Sequence, residues 1–506
     1  MDSSNLKSEI RNQKSRTGRD VVILFALTVL GIAVSGYHLG IEDQAIYLPA
    51  IEKQLHPSLF PHDAELFLAQ TRPTFFPQIV AAAARGSHLP LAWVIFFGQV
   101  FSILLMLCAC LRLTHKIFDS RAARWAGVAL ISVMLTLPVA GTALAIADQY
   151  LHPRLPATAL LLFMIAEVMD RKLARAAILF ALAALIHLQM AFYGLLLAFF
   201  FLLPHRWFAR PPQVSSQQVA VSLSFFPLSS IFEPPTAAWR EAARTRWQHY
   251  LVRWPWYCWL GIFAPLALLA WFTHLGTRKQ MPRLREISAR FVAYGIFIFL
   301  AAAVLTIPPR FERLTPYQPM RGFHLLYIFL LLLGGGLLGE FLLKAKAWRW
   351  VVCFLPLCLI MAYVQRQVFP ASSHIEWPTA RPNNPWLAAF NWVQHNTPED
   401  AYFALDPNYL ERPGEDEHGF RAFAQRSMMA DSIKDSGVAL LFPAVAERWQ
   451  KEVHARDGWQ QFRRSDFLRL HTEFGVNWVL IESGHSATTE LDCPYVNEAI
   501  SVCKLE

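Results

Sequence analysis

Two adjacent carboxylates, Glu42 and Asp43, follow an apolar run from Val21 to Tyr37. The run is long enough to cross a bilayer, so the pair sits where a spanning helix ends. A second acidic cluster, Asp63 and Glu65, lies further along the same loop. Acidic groups at a membrane boundary are costly to desolvate, so they take a partner or a task. Such a carboxylate can serve as general base toward an acceptor hydroxyl. It can also hold a divalent metal, Mg or Mn, that clamps a phosphate. The structural alternative is a solvated helix end that caps the next helix. Asp43 is the first candidate, since it lies just past the helix end with Gln44 beside it. Asp148 is a candidate second ligand or base, or else a satisfied loop residue. His152 and Arg154 are candidates to contact an anion, and His187 and Gln189 occupy a short turn assigned to the same side.

Arg310, Arg313 and Arg321 form a second set. Positive charge on an outer loop runs against the usual loop bias. Arg310 follows Pro308-Pro309 and Arg321 opens an apolar run, which puts both at headgroup depth. A guanidinium binds phosphate through a planar fork, so an anionic lipid-linked substrate would explain the set. Ordinary anionic headgroups or the acidic loop residues would explain it equally well.

The elements that position these residues are mainly membrane helices. Of the 506 residues, 55% are hydrophobic and only 16% charged, against about a quarter charged in soluble domains. Mean hydropathy is +0.31 and the isoelectric point is near 9.2. The net charge of +9 does not indicate nucleic acid. Basic residues fall in short clusters between apolar runs, as positive-inside topology requires, and no nucleic-acid motif is present. The spacing predicts a disordered cytoplasmic tail over residues 1–20 and an uncleaved first helix from Val21. A multi-pass domain then follows to residue 369, with a first outer loop over 38–88. That loop carries amphipathic pieces at Gln44 to Leu55, Asp63 to Gln70 and Phe75 to Arg85. About eleven spans are expected, one of them from Trp125 to Ala140. A weakly apolar one, Val219 to Ile231, is needed to keep the later basic clusters inside. An odd count puts the N-terminus in the cytoplasm and the C-terminus outside.

From about Pro370 the character changes. Periodicity predicts a helix from Trp386, a strand at 402–405, a helix over Ala444 to His454, and a helix capped at Ser465-Asp466 that ends at Gly475. A buried strand follows at 477–481. Alternating helix and strand make residues 370–506 a small α/β domain. Cys493 and Cys503 lie there and can form a disulfide in an oxidising compartment. The other five cysteines read as core residues. No P-loop, GxGxxG, nucleophile elbow or HExxH motif is visible. The internal repeat of many transporters is also missing.

This layout resembles the glycosyltransferase C superfamily. The likeness is carried by a first helix followed by an acidic loop, Glu42-Asp43 with Asp63 and Glu65. Amphipathic helices in that loop, many spans and an extracytoplasmic C-terminal domain complete it. Within that domain, 392–398, 420–427 and 474–479 resemble bacterial multi-pass proteins of the same build. The resemblance implies a polyprenyl-phosphate sugar donor, transfer at the outer face of a bacterial inner membrane, and an acidic base or metal ligand that maps to Asp43. Gln44 stands where many members carry a second acid. The expected function is therefore membrane glycosyl transfer to an unknown acceptor, with lipid-linked donor and membrane lipids as partners. The alternative is a non-catalytic lipid or glycan transporter, or a membrane assembly protein. The topology has a direct check: a reporter fused after Glu506 should be active only on the extracytoplasmic side, and cytoplasmic activity would overturn both orientation and site.

Overall fold

The structure, a computed structural model, describes residues 3–204, 234–378, 380 and 384–505. The expected span over Val219 to Ile231 lies outside the described residues. Six described helical segments are long and apolar enough to cross a membrane: Gly18–Ser35, Leu91–Ile117, Trp256–Arg278, Pro282–Thr306, Pro309–Leu343 and Ala347–Val368. Shorter apolar helices, Leu173–Ile186 and Leu188–Leu202, accompany them. The chain is a multi-pass helical membrane protein with a small C-terminal mixed-sheet domain.

Helix α1 runs Ser3–Ser35. It begins well before Val21, so the basic segment expected as a disordered tail is helical; it holds no proline, and its only glycine is Gly18. The 38–88 loop folds into α2 (Gln44–Leu55), α3 (Ala64–Thr71) and α4 (Phe76–Ser87), close to the expected pieces. Helix α5 (Leu91–Ile117) leads to α6 (Arg121–Val133). The span expected to reach Ala140 stops at Val133. Pro138 cannot donate to a helix and disfavours helical backbone before it, and residues 134–153 form an irregular, largely buried segment instead. Irregular backbone in a membrane protein is tolerated where protein covers it. Helices α7 (Arg154–Met169), α8 (Leu173–Ile186) and α9 (Leu188–Leu202) follow.

After α10 (Ala237–Arg244), α11 (Trp256–Arg278) pairs with α12 (Pro282–Thr306), and α13 (Phe323–Leu337) packs on α6. Small residues permit that last contact. A Cβ on Gly335 would lie 2.7 Å from the Ala126 carbonyl oxygen and 2.8 Å from the Gly127 Cα. Membrane helices have no hydrophobic drive toward each other, so close backbone approach of this kind supplies the packing. Helix α14 (Ala347–Val368) ends the membrane part.

The C-terminal domain holds α15 (Pro385–Asn396), β1 (Tyr402–Ala404), α16 (Phe420–Ala424), β2 (Ser427–Met428), α17 (Lys434–Leu441), α18 (Ala446–His454), α19 (Arg464–Phe474), β3 (Trp478–Glu482), β4 (Asp492–Val496) and β5 (Ile500–Lys504). The sheet order is β2-β1-β3-β5-β4. Strand β1 runs parallel to β2 and β3, whereas β5 runs antiparallel to β3 and β4. The Cys493–Cys503 disulfide joins β4 to β5. Helix α19 is capped at Arg463, two residues before the expected cap. Its backbone N–H donates to Asp466 Oδ2 at 2.9 Å, which satisfies one orphan donor of the first turn.

This domain docks on the 38–88 loop and on α10. Trp239 Nε1 donates to the Leu440 carbonyl at 2.9 Å. Helices α17 and α18 pack on α10. At the centre, Arg421 is buried among Asp63, Asp431 and Asp435. Asp63 comes from the loop and the other three from the domain. Leaving buried carboxylates without their cation costs several kcal/mol. Arg421→Met should therefore destabilise the protein by about 3–5 kcal/mol, seen as a lower thermal midpoint in detergent.

Asp431 adds a pH signature. Burial and the neighbouring Asp435 push its carboxyl up to about 6, against the pull of Arg421. A raised folded-state value means that its stabilising share is complete below the ordinary value of 3.8 and is lost as pH rises through about 6. Asp431→Asn keeps an acceptor for the Ile433 and Lys434 amides, which donate to Oδ1 at 2.8 and 2.5 Å. Relative to wild type, the variant should gain thermal stability between pH 4 and pH 6 or so; parallel melting curves across that window would refute this.

Candidate functional site

Asp43 is placed by a turn that few residues could make. Gly40 has φ +74°, and a Cβ there would lie 2.3 Å from the Phe423 ring. Glu42 follows with φ 50°, a left-handed conformation unusual for a side-chain-bearing residue. It is held there from the C-terminal domain: its N–H donates to the Glu417 carbonyl at 3.3 Å, and its carboxylate pairs with Lys434. Gln44 fixes the other side. Its Oε1 accepts from Gly40 N at 2.7 Å and its Nε2 donates to the Leu151 carbonyl at 3.0 Å. Asp43 is the N-cap residue of α2, yet its side chain makes no capping hydrogen bond. The carboxylate is left for other partners.

Those partners come from α7 and the irregular segment before it. Arg154 Nη2 lies 3.4 Å from Asp43 Oδ2 and 3.1 Å from Asp148 Oδ2. Arg154 stands in the first turn of α7, where the helix dipole disfavours a cation, and the two carboxylates offset that cost. His152 Nδ1 accepts from Arg154 N at 3.1 Å. Its proton therefore resides on Nε2, 3.4 Å from Asp43 Oδ2. Burial and the neighbouring Arg154 push this imidazole well below its ordinary value, so it is neutral. Burial alone would raise the Asp43 carboxyl, but the His152 N–H turned toward it and the Arg154 guanidinium bring it well below the usual carboxylate range. Asp148 goes the other way: burial and the nearby Asp43 raise it against the pull of Arg154. The Asp43 side chain is 33% exposed, against 3% for His152 and 6% for Arg154, so of these three Asp43 is the one that an incoming molecule can reach.

The α8–α9 turn and the segment before α13 close the other side. His187 ends α8 and caps α9, accepting from Met190 N at 3.4 Å, with its ring 5.9 Å from that of His152. Gln189 Oε1 accepts from Arg321 Nη1 at 3.1 Å, and its Nε2 donates to the Tyr317 carbonyl at 2.7 Å. Arg321 Nε is buried with no partner among the described residues. Arg321 is close enough to Asp43 and Arg154 to interact electrostatically with both. Asp43, Asp148, His152, Arg154, His187, Gln189 and Arg321 thus share one cluster, drawn from four separate parts of the chain.

The remaining sequence candidates lie elsewhere. Asp63 is fully buried against Arg421, Glu65 is exposed on the first turn of α3, and Glu42 serves Lys434. Arg310 is exposed over the Phe311 ring, and Arg313 donates to the Pro234 carbonyl at 3.2 Å. Lys434 and Arg421 were not anticipated as neighbours of the acidic loop. Each is separated from its partner by more than 300 residues, and no local pattern marks them.

Asp43 and Asp148 are poorly placed to share a metal ion, because the Arg154 guanidinium already stands between their Oδ2 atoms. The described group of His, Cys, Asp and Glu side chains that could hold a cation is instead Glu376, Asp416 and His418.

No family model and no curated protein sequence matches this chain. Among solved structures, it is similar to the crystal structure of the Archaeoglobus fulgidus oligosaccharyltransferase in complex with Zn and sulfate. Identity is 14% and the TM-score 0.43, over 91% of this chain and 68% of that one. At that level the likeness assigns neither activity nor ligand.

Proposed function

We propose that the protein transfers a sugar from a polyprenyl-phosphate carrier to an acceptor at the outer face of a bacterial inner membrane, with residues 370–506 extracytoplasmic. The observation that carries this reading is the presence in one cluster of a reachable, ionised carboxylate, Asp43, and an arginine, Arg321, whose Nε is buried with no partner among the described residues. Sugar transfer from a lipid phosphate needs both. Positive charge develops at the anomeric carbon and negative charge on the departing phosphate, and fixed opposite charges stabilise each where it forms. Because Asp43 is held below the usual carboxylate range, it is ionised near neutral pH. It accepts a hydrogen bond from the acceptor hydroxyl and offsets the developing positive charge; as the new glycosidic C–O bond forms and the bond to phosphate breaks, polyprenyl phosphate leaves and the hydroxyl proton passes by way of Asp43, a weak base, to solvent. Arg321 meets the phosphate, Gln189 orients it, and Arg154 with His152 fixes the Asp43 carboxylate.

The test uses the full chain in lipid nanodiscs with a polyprenyl-phosphate sugar, following donor consumption in the presence of membrane extract as acceptor source. Asp43→Asn should lower turnover by 100-fold or so while donor binding persists, as expected for a group acting on transition-state charge. Arg321→Ala should weaken donor binding roughly tenfold or more. Full turnover by Asp43→Asn would remove the enzymatic reading and favour the non-catalytic alternative.

A further inference from the structure

A second polar cluster lies where α1, the segment after α14 and the C-terminal domain meet. Two stretches are zipped together there: Tyr37 N donates to the His374 carbonyl at 3.0 Å, and Glu376 N to the Tyr37 carbonyl at 2.8 Å. A third is laid across them by the Ile41–His418 bridge and by Gly419 N, which donates to the Gly40 carbonyl at 2.9 Å. The backbone thus fixes Glu376, Asp416 and His418 before their side chains contribute.

One ligand atom from each of these three residues lies within 4.8 Å of the others. Glu376 is pre-oriented. Its Oε2 accepts from Leu39 N at 2.9 Å, and its Oε1 lies 3.3 Å from His38 Nδ1 and 3.0 Å from His418 Nε2. Asp416 Oδ1 accepts from Ala371 N at 3.3 Å. Its Oδ2 is buried with no hydrogen-bond partner, although the residue is only 9% exposed. His418 is 3% exposed and its Nδ1 likewise has no partner. No lysine or arginine among the described residues forms an ion pair with either carboxylate. A buried carboxylate with an unused oxygen, Asp416, set beside the partly buried Glu376, is expensive without a cation.

We propose that Glu376, Asp416 and His418 bind a divalent transition-metal ion of the zinc class, which latches the C-terminal domain to the end of the first membrane helix. The donor set is mixed imidazole and carboxylate, which suits zinc and its neighbours better than magnesium, an ion that prefers all-oxygen ligands and retains water. Ligand atoms around a tetrahedral zinc lie about 3.3 Å apart, so side-chain adjustments of about 1 Å bring the three together. His38, fully buried and hydrogen-bonded to Glu376, acts as the outer support that orients a ligating carboxylate. This ion is separate from the Asp43 cluster and ties down the turn from Gly36 to Gly40 that leads to it.

Tag-free full-length protein, stripped with EDTA and exchanged into chelator-free detergent, is titrated with Co²⁺ and followed by visible absorption. One equivalent should bind with the intense bands of a low-coordinate site. Zn²⁺ should displace it and millimolar Mg²⁺ should not, and the thermal midpoint should rise with bound metal. Glu376→Gln and Asp416→Asn keep the backbone hydrogen bonds and should each weaken Co²⁺ binding tenfold or more, while Asp43→Asn should bind as wild type. Absence of saturable binding, or unchanged affinity in both triad variants, would overturn the proposal. Loss of binding in Asp43→Asn with retention in the triad variants would also overturn it, and would place the cation in the cluster proposed for sugar transfer. Donor turnover plays no part in this readout, so the two proposals fail independently.

Discussion

Carboxylates at one end of the helical bundle, several of them buried, are paired with cations from distant parts of the chain, and this pairing governs how the rest of the chain is assembled. Arg154 stands between Asp43 and Asp148, Arg421 among Asp63, Asp431 and Asp435, and Lys434 between Glu42 and Glu417. In low dielectric an unpaired charge costs more than a paired one gains, so these contacts specify one arrangement more than they add stability. Two of the three cations come from the C-terminal domain and their partners include residues of the 38–88 loop. The domain is thereby keyed to the loop by charge as well as by apolar packing.

That keying bears on the site. Asp43 sits one residue beyond Glu42, whose left-handed backbone is held by Glu417 and Lys434. Strain of this kind persists only where surrounding contacts impose it. The position of Asp43 relative to Arg154 and His152 therefore depends on the C-terminal domain being docked. The neutral state of His152 follows from the same enclosure. Burial and a neighbouring guanidinium leave a donor, and no charge, beside the carboxylate.

The membrane part rests on a different constraint. Its helices gain nothing from hydrophobic association, so they meet through small residues, as where Gly335 of α13 lies against Ala126 and Gly127 of α6. The break before Pro138 shapes the Asp43 cluster more directly than any intact span does. It converts what would be the second half of a helix into the buried irregular segment that carries Asp148 and His152 to the end of α7.

The sequence by itself determined the helical membrane character, because apolar runs and basic clusters are local and additive. It also determined the amphipathic helices of the 38–88 loop and the alternation of helix and strand after Pro385, which rest on period and on turn residues. Of the site, Asp43, Asp148, His152, Arg154, His187, Gln189 and Arg321 were legible as polar groups at helix ends. Their convergence was not, since side of the membrane says nothing of distance. Only the tertiary structure separated Asp63, Glu65, Arg310 and Arg313 from them. Identical residue types at similar depth differ in which long-range partner reaches them, and Arg421, more than 350 residues from Asp63, leaves no local trace in the chain. The Glu376–Asp416–His418 cluster shows the same limit. It is assembled by backbone pairing between the first loop, the chain after the last span and the C-terminal domain, and that pairing exists only once the whole chain has folded.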